Sequence, residues 1–119
     1  MSRIDNIVLD NVKYHLRQAY KKSQAPIWYA TLKYLSKSSS LRPSVNIGKI
    51  SKLTKEGDLA LVPGKVLGGG VITHKITVGA YSFSEKAFWK IQKAGGNALG
   101  LVEFIKNFPE GKRGILIGG

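Results

Sequence analysis

The sequence is poor in the residues that most catalytic and metal sites are built from. It has no cysteine, 2 histidines and 7 acidic residues among 119. Without cysteine no disulfide can staple a small secreted scaffold, and no thiolate zinc site can form. Two histidines alone do not complete a zinc site either. Long apolar runs are also missing: none approaches the ~18 residues that a bilayer-spanning helix requires. Met1 to Asp10 lacks the basic-then-apolar layout of a secretion signal. Glycine and proline, 14 and 4 residues, fall short of low-complexity composition. What is present is an ordinary apolar fraction of 43%. A chain of this length buries roughly two-thirds of its unfolded surface, enough for one core.

The charge is not ordinary. Nineteen Lys or Arg against 7 acids leave a formal net charge of +12. Between Asp10 and Glu56 there is no acid at all, while Lys13, Arg17, Lys21, Lys22, Lys33, Lys37, Arg42, Lys49, Lys52 and Lys55 fall in that stretch. A solvated helix face normally mixes signs, because opposite charges support each other at i,i+4. Like charges in a compact chain repel, so a polyanion is the expected partner. Nucleic acid fits best, through phosphate neutralisation and counterion release. A membrane surface fits less well, because most of the chain reads as a packed core.

Helical signals come first along the chain. Ile4, Val8, Val12 and Leu16 recur every four residues, flanked by Ile7 and Ala19. Ser2 and Asp5 resemble a capping box. The helix is expected to fade at Ser23 to Ala25, because Pro26 disfavours helical geometry in the residue before it. Pro26 suits the first turn of a second helix, with Trp28, Leu32 and Leu35 on one face and Tyr29, Lys33 and Lys37 off it. Ser36 to Pro43 reads as a basic, serine-rich connector that orders on RNA. A short helix is expected from about Ile47 to Thr54, capped by Asn46. Glu56-Gly57-Asp58 reads as a turn, and Leu59 to Val62 as a buried strand.

Pro63 to Gly70 reads as a loop made permissive by four glycines. Ile72 to Ala80 alternates with period two and predicts a strand, with His74 near its start. Ser82 and Glu85 predict a capping box for a helix carrying Phe83, Ala87, Ile91 and Ala94, ended by Gly95-Gly96. A short strand at Ala98-Leu99, a helix at Leu101 to Phe108 and a closing strand at Ile115 to Ile117 complete the series. The expected fold is a small, irregular α/β domain with a basic helical N-terminal part. Residues 1–44 form the arm on this reading, and residues 45–119 the α/β domain.

Most catalytic motifs fail on inspection. Gly64-Lys65 lacks the phosphate-loop pattern, because Leu59 stands where the first glycine belongs and Val66 where Ser or Thr belongs. Gly68 and Gly70 start a G-x-G, but Thr73 replaces the third glycine and a strand pattern comes next. Glu56 and Asp58 sit together in a turn and read as solvated. His15 and His74 have no carboxylate or nucleophile nearby in sequence. Trp28 and Phe83 lie on core stripes, leaving Tyr14, Tyr29, Tyr34 and Trp89 as surface aromatics for base stacking. In the loop, glycine lets backbone N–H groups approach phosphate oxygens closely, and Lys65 adds charge. On residues alone it serves equally as a phosphate-reading loop or a structural turn. Nothing here implies an enzyme, cofactor, metal or small-molecule substrate. A chromatin-type basic DNA-binding protein remains the alternative.

Several stretches carry a resemblance: A-P-I-W (25–28), V-N-I-G-K-I (45–50) and E-G-D-L-A-L-V-P-G-K-V-L-G-G-G (56–70). With them go H-K-I-T-V-G-A (74–80), F-S-E-K-A (83–87), K-A-G-G (93–96) and the final G-I-L-I-G-G. In this order the sequence resembles the archaeal and eukaryotic family of large-subunit ribosomal protein number eighteen, in a superfamily with bacterial protein number fifteen. Its length resembles that of archaeal members. The resemblance implies a structural, non-enzymatic ribosomal protein of the cytoplasm, bound to large-subunit RNA among neighbouring ribosomal proteins. By position it implies RNA contacts at Asn46, Lys49, Gly64, Lys65, Gly68, Gly69, Gly70 and Lys75. Arg42 and the Ser38 to Ser40 tract fall where family members are strongly basic. Lys33, Lys37 and Lys52 join the expected RNA-binding set through the acid-free stretch.

Overall fold

Arg3–Ser23 forms the first helix, α1, and Pro26–Leu35 the second, α2. The computed structural model describes residues 3–38 and 42–118, with side chains from residue 7 onward. The Ser2–Asp5 capping box and the centre of the serine-rich connector lie outside these described parts. In α1 the buried positions are Leu9, Val12, Leu16 and Ala19. The four-residue spacing puts Val8 on that stripe, but it is 49% exposed, and Ile7 is 61% exposed. Steps of three and four hold one face of a 3.6-residue helix. Leu9 therefore takes the core position below Val12, and Val8 turns about 100° away from Leu9. The helix stops at Ser23 as expected, through Gln24 at φ +58, whose N–H donates to the Tyr20 carbonyl at 2.7 Å. Pro26 opens α2, and Trp28, Thr31 and Leu35 are its buried face.

The strands are β1 (Ser44–Asn46), β2 (Leu59–Leu67), β3 (Thr77–Phe83), β4 (Asn97–Gly100) and β5 (Gly114–Leu116). The remaining helices are α3 (Ile47–Leu53), α4 (Glu85–Lys93) and α5 (Leu101–Asn107). Every strand pairing is parallel, in the order β1-β2-β3-β4, with β5 also on β2. β3 lines one side of β2 along most of its length. The other side is shared: β5 pairs with Leu59 to Leu61, and β1 with Lys65 to Leu67.

Crossover direction decides which helix covers which face. α3 and α4 connect strands that advance across the sheet in the same direction, and they share one face. α5 connects β4 back to β5 in the reverse direction and lies on the other. This is what right-handed crossovers demand. The first face holds Val45, Ile47, Ile50, Val62, Val66, Val78, Ala80, Ala87 and Ile91. The second holds the α1 and α2 stripes with Leu61, Leu101, Phe104 and Ile105. Both faces of the sheet are thus covered, as an all-parallel sheet requires.

The structure departs from the sequence pattern at three strands. β1 has no counterpart in the sequence pattern, because three residues are too short to show a period. β2 runs through Pro63, Gly64 and Lys65, where the glycines predict a loop. Its register shifts between Val62 and Lys65, where its free side passes from β5 to β1. A proline without an N–H is tolerated at such a break in the ladder. Finally, β3 begins at Thr77 rather than Ile72. The alternation from residue 72 to 76 is real, but Thr73 and His74 are engaged by α3 and its C-cap instead of a strand.

The cap of α4 also moves. β3 extends through Phe83 and takes Ser82 into the sheet, so Ser84 is the N-cap. Its Oγ accepts the Ala87 N–H at 3.1 Å. Ser84→Ala is expected to cost about 1 kcal/mol, the usual worth of such a cap. Ser82→Ala, at the residue expected to cap, should change chemical-denaturation midpoints much less. At the other end, Gly95 at φ +84 terminates α4 as expected.

Candidate nucleic-acid interface

Three strands end side by side at one edge of the sheet, where Asn46 pairs with Leu67 and Val66 with Phe83. The segment after each strand gathers there: α3 after Asn46, Gly68 to Gly70 after β2, and α4 after β3. The crevice beyond the carboxyl ends of parallel strands is a general location for binding sites. Here a cleft of about 700 Å³ opens between Asn46, Gly48, Lys49, Ser51 and Lys52 on one side and Gly69, Gly70, Val71 and Thr73 on the other.

The walls are held by backbone packing that only glycine permits. The Gly48 N–H donates to the Gly69 carbonyl at 3.0 Å. A Cβ on Gly70 would lie 2.7 Å from the Gly48 Cα, and Gly70 itself sits at φ +88. Asn46 stands at the N-cap position of α3 but makes no cap bond. Its Oδ1 instead accepts the Gly69 N–H at 3.0 Å, so the expected cap is a clamp on the glycine segment. From behind, Lys90 Nζ of α4 donates to the carbonyls of Gly68 at 2.9 Å and Gly70 at 2.8 Å.

Hydroxyls stitch the far end of the cleft. The Thr73 N–H donates to Ser51 Oγ at 3.1 Å, and Ser51 Oγ lies 3.1 Å from Thr73 Oγ1. His74 places Nδ1 3.0 Å from Thr73 Oγ1 and Nε2 2.9 Å from Thr54 Oγ1. Thr54 already donates to the Ile50 carbonyl at 2.7 Å, so it accepts from His74 Nε2–H. In the neutral ring, Thr73 then donates to Nδ1 and Ser51 to Thr73. Each hydroxyl and ring nitrogen in this relay has its partner, and this is structural wiring rather than catalytic chemistry. Asp58 reads the same way: its Oδ2 accepts the Lys55 N–H at 2.7 Å and closes its turn.

Of the expected RNA-binding residues, the structure brings Asn46, Lys49, Lys52, Gly69 and Gly70 to this cleft. Lys52 is exposed on α3, and Lys49 reaches the surface there beside it. The others lie elsewhere. Gly64 is buried in β2, with the Pro43 carbonyl against its Cα, and Gly68 is buried beneath the stem of Lys86. Lys65 is exposed on β2, on the face opposite Val66 by strand alternation. It is therefore not the centre of a glycine loop. Lys33 lies 5.8 Å from the Tyr29 ring and Lys37 4.8 Å from the Tyr34 ring, on the α2 side. Arg42 stacks on Tyr81 at 5.7 Å. Lys75 sits near the start of β3, its carbonyl accepting the Gly57 N–H at 2.8 Å. Of the connector's Ser38 to Ser40 tract, Ser39 and Ser40 lie outside the described residues.

Gly48, Ser51, Thr73 and Lys90 belong to the cleft, and the sequence pattern does not single them out. A glycine inside a helix pattern is the available signal for Gly48, since it costs about 1 kcal/mol without a packing reason. Among the surface aromatics, Tyr14, Tyr29 and Trp89 are more than half exposed, and Trp28 is fully buried. Among the described residues no helix is long and apolar enough to cross a membrane.

Residues 27–99 match the model of a family described as ribosomal proteins 50S-L15 and 50S-L18e together with the 60S protein numbered 27A. Large ribosomal subunit protein eL18 of Pyrobaculum aerophilum is 40% identical over 96 residues, covering 81% of this chain and 79% of that protein. The eL18 of Sulfurisphaera tokodaii is 46% identical over 90 residues, 73% and 76% of the two chains. That of Methanopyrus kandleri is 39% identical over 111 residues, 89% and 87%.

Proposed function

Since the chain belongs to the family of ribosomal proteins 50S-L15, 50S-L18e and the 60S protein numbered 27A, a structural and non-enzymatic group, we propose that it is a constituent of the large ribosomal subunit in the cytoplasm and binds ribosomal RNA there. The cleft between α3 and the glycine segment is the primary contact on this reading. Asn46, Gly69 and Gly70 shape it, and Lys49 and Lys52 supply charge to phosphates. Lys33, Lys37, Arg42, Lys65 and Lys75 are further backbone contacts on other faces, so that RNA wraps the domain. Neighbouring ribosomal proteins are its other partners.

The observation that carries this reading is the junction of a +12 chain with a cleft whose rim lysines have rigid glycine walls behind them. Lysine contacts to phosphates position a protein without reading sequence. Double-stranded RNA is recognised mostly by shape and by phosphate and 2′-OH contacts, which suits a preformed cleft. The Lys49→Ala/Lys52→Ala double variant should bind a large-subunit RNA fragment about tenfold more weakly, with a log-log salt slope shallower by roughly two. Its melting temperature should move little, because neither side chain belongs to the buried core. Unchanged affinity would remove the cleft from the interface. Equal competition by B-form DNA would favour the DNA-binding alternative.

A further inference from the structure

We propose that Trp89, flanked by Lys86 and Lys93 on α4, is a stacking platform for one unpaired RNA base beside the cleft. This rests on the RNA-binding reading and adds a second kind of contact to it. Trp89 is 68% exposed, an unusual position for the largest apolar side chain. Its ring is braced by the neighbouring Phe88, edge to face at 6.5 Å and 81°. Lys86 and Lys93, at i−3 and i+4, are its neighbours along the helix surface, and both are exposed. Glu85, at i−4, is the acid of the same helix.

Trp89 itself lines neither the cleft nor the groove next to it, but the lysines flanking it reach both the glycine segment and that groove. The stem of Lys86 covers Gly68. A shallow groove lined by Gly70, Val71, Ile72, Lys90, Lys93 and Ala94 runs from the glycine segment to α4. Gly70 and Val71 also line the cleft, so the two depressions share a wall. Charge complementarity selects the occupant. A protein partner docking on Trp89 would have to desolvate two flanking ammonium groups, and lysine is depleted from protein interfaces. A nucleotide satisfies both features at once, offering a π-face to the indole and phosphates to the lysines. The base must be unpaired, because a duplex keeps its base faces stacked on one another.

The intact protein is titrated with a 12-nucleotide oligoadenylate and, separately, a 12-base-pair RNA duplex, at one fixed low salt concentration. Trp28 is fully buried, so quenching of tryptophan fluorescence reports on Trp89. Oligoadenylate should quench strongly and the duplex weakly. In the Trp89 variants, which lack the reporting indole, binding is read from the fluorescence anisotropy of end-labelled RNA, and Trp89→Ala should weaken oligoadenylate binding about tenfold, the order expected for losing one stacked base. Trp89→Phe should restore most of it, and duplex affinity should stay the same in both. The proposal is overturned if Trp89→Ala binds oligoadenylate like the parent, if it weakens both RNAs equally, or if phenylalanine rescues nothing. The Lys49→Ala/Lys52→Ala variant separates the two readings. It acts on duplex binding, so the cleft can fail there while the platform stands on the single-strand data, and the reverse.

Discussion

Trp28→Ala should lower stability by about 3–5 kcal/mol, the range for deleting a large aromatic from a packed core. Trp28 is 0% exposed and leads the fully buried side chains by volume. Its ring meets Phe104 of α5 edge to face at 6.2 Å and 79°. Its indole N–H donates to the Pro109 carbonyl at 3.2 Å, across 81 residues of sequence. One side chain therefore ties α2 to α5 and to the turn that leads into β5. Alanine would open a cavity in the second core layer and leave that carbonyl without its donor. For a domain of this size the loss should lower the melting temperature on the order of 10–20 °C, read by circular dichroism. Trp28→Phe keeps most of the apolar volume and should recover more than half of the loss. A shift of only a degree or two in Trp28→Ala would mean that α1 and α2 are not cooperatively joined to the sheet.

RNA affinity should fall about a thousandfold between roughly 50 and 200 mM salt if about six phosphates are engaged. The proposed contacts supply that number without strain: Lys49 and Lys52 at the cleft, with Lys33, Lys37, Arg42, Lys65 and Lys75 on other faces. The ion pair between Lys112 and Glu110 is 3.5 Å long and largely exposed, so it does little to offset the surplus. Filter binding across a salt series measures the slope directly. A slope near zero would mean that binding does not depend on phosphate neutralisation, and the charge argument would fail. A steep slope unaffected by Lys49→Ala/Lys52→Ala would keep RNA as the partner and move the contact off the cleft.

Many elements can be read from residues because their cause is local. Pro26 opens α2 and Gly95 closes α4, since ring geometry and a missing Cβ act where they stand. The apolar spacing of Trp28 and Leu35, or of Ala87 and Ile91, follows from helical period alone. The charge surplus is legible for the same reason, and so are the stretches that carry the family resemblance. The cleft is half legible: Asn46, Lys49, Lys52, Gly69 and Gly70 stand among the expected residues, whereas Gly48, Ser51, Thr73 and Lys90 do not.

The misreadings share a different cause. Pro63-Gly64 carries a strong local turn signal, but its place in β2 depends on β5 and β1 dividing one side of that strand. Thr73 and His74 alternate like strand residues, but the hydroxyls of Ser51 and Thr54, 22 and 20 positions away, claim them. Asn46 has the side chain of a helix cap, and the glycine segment that takes its bond lies 23 residues on. Local order and net charge, then, belong to the chain as written, because backbone sterics, helical period and ionisation act within a few residues. Which glycines face solvent, which lysine is a strut and which lysines are left at the cleft came from the packed fold alone. Those outcomes depend on partners that only chain crossovers bring within hydrogen-bonding distance.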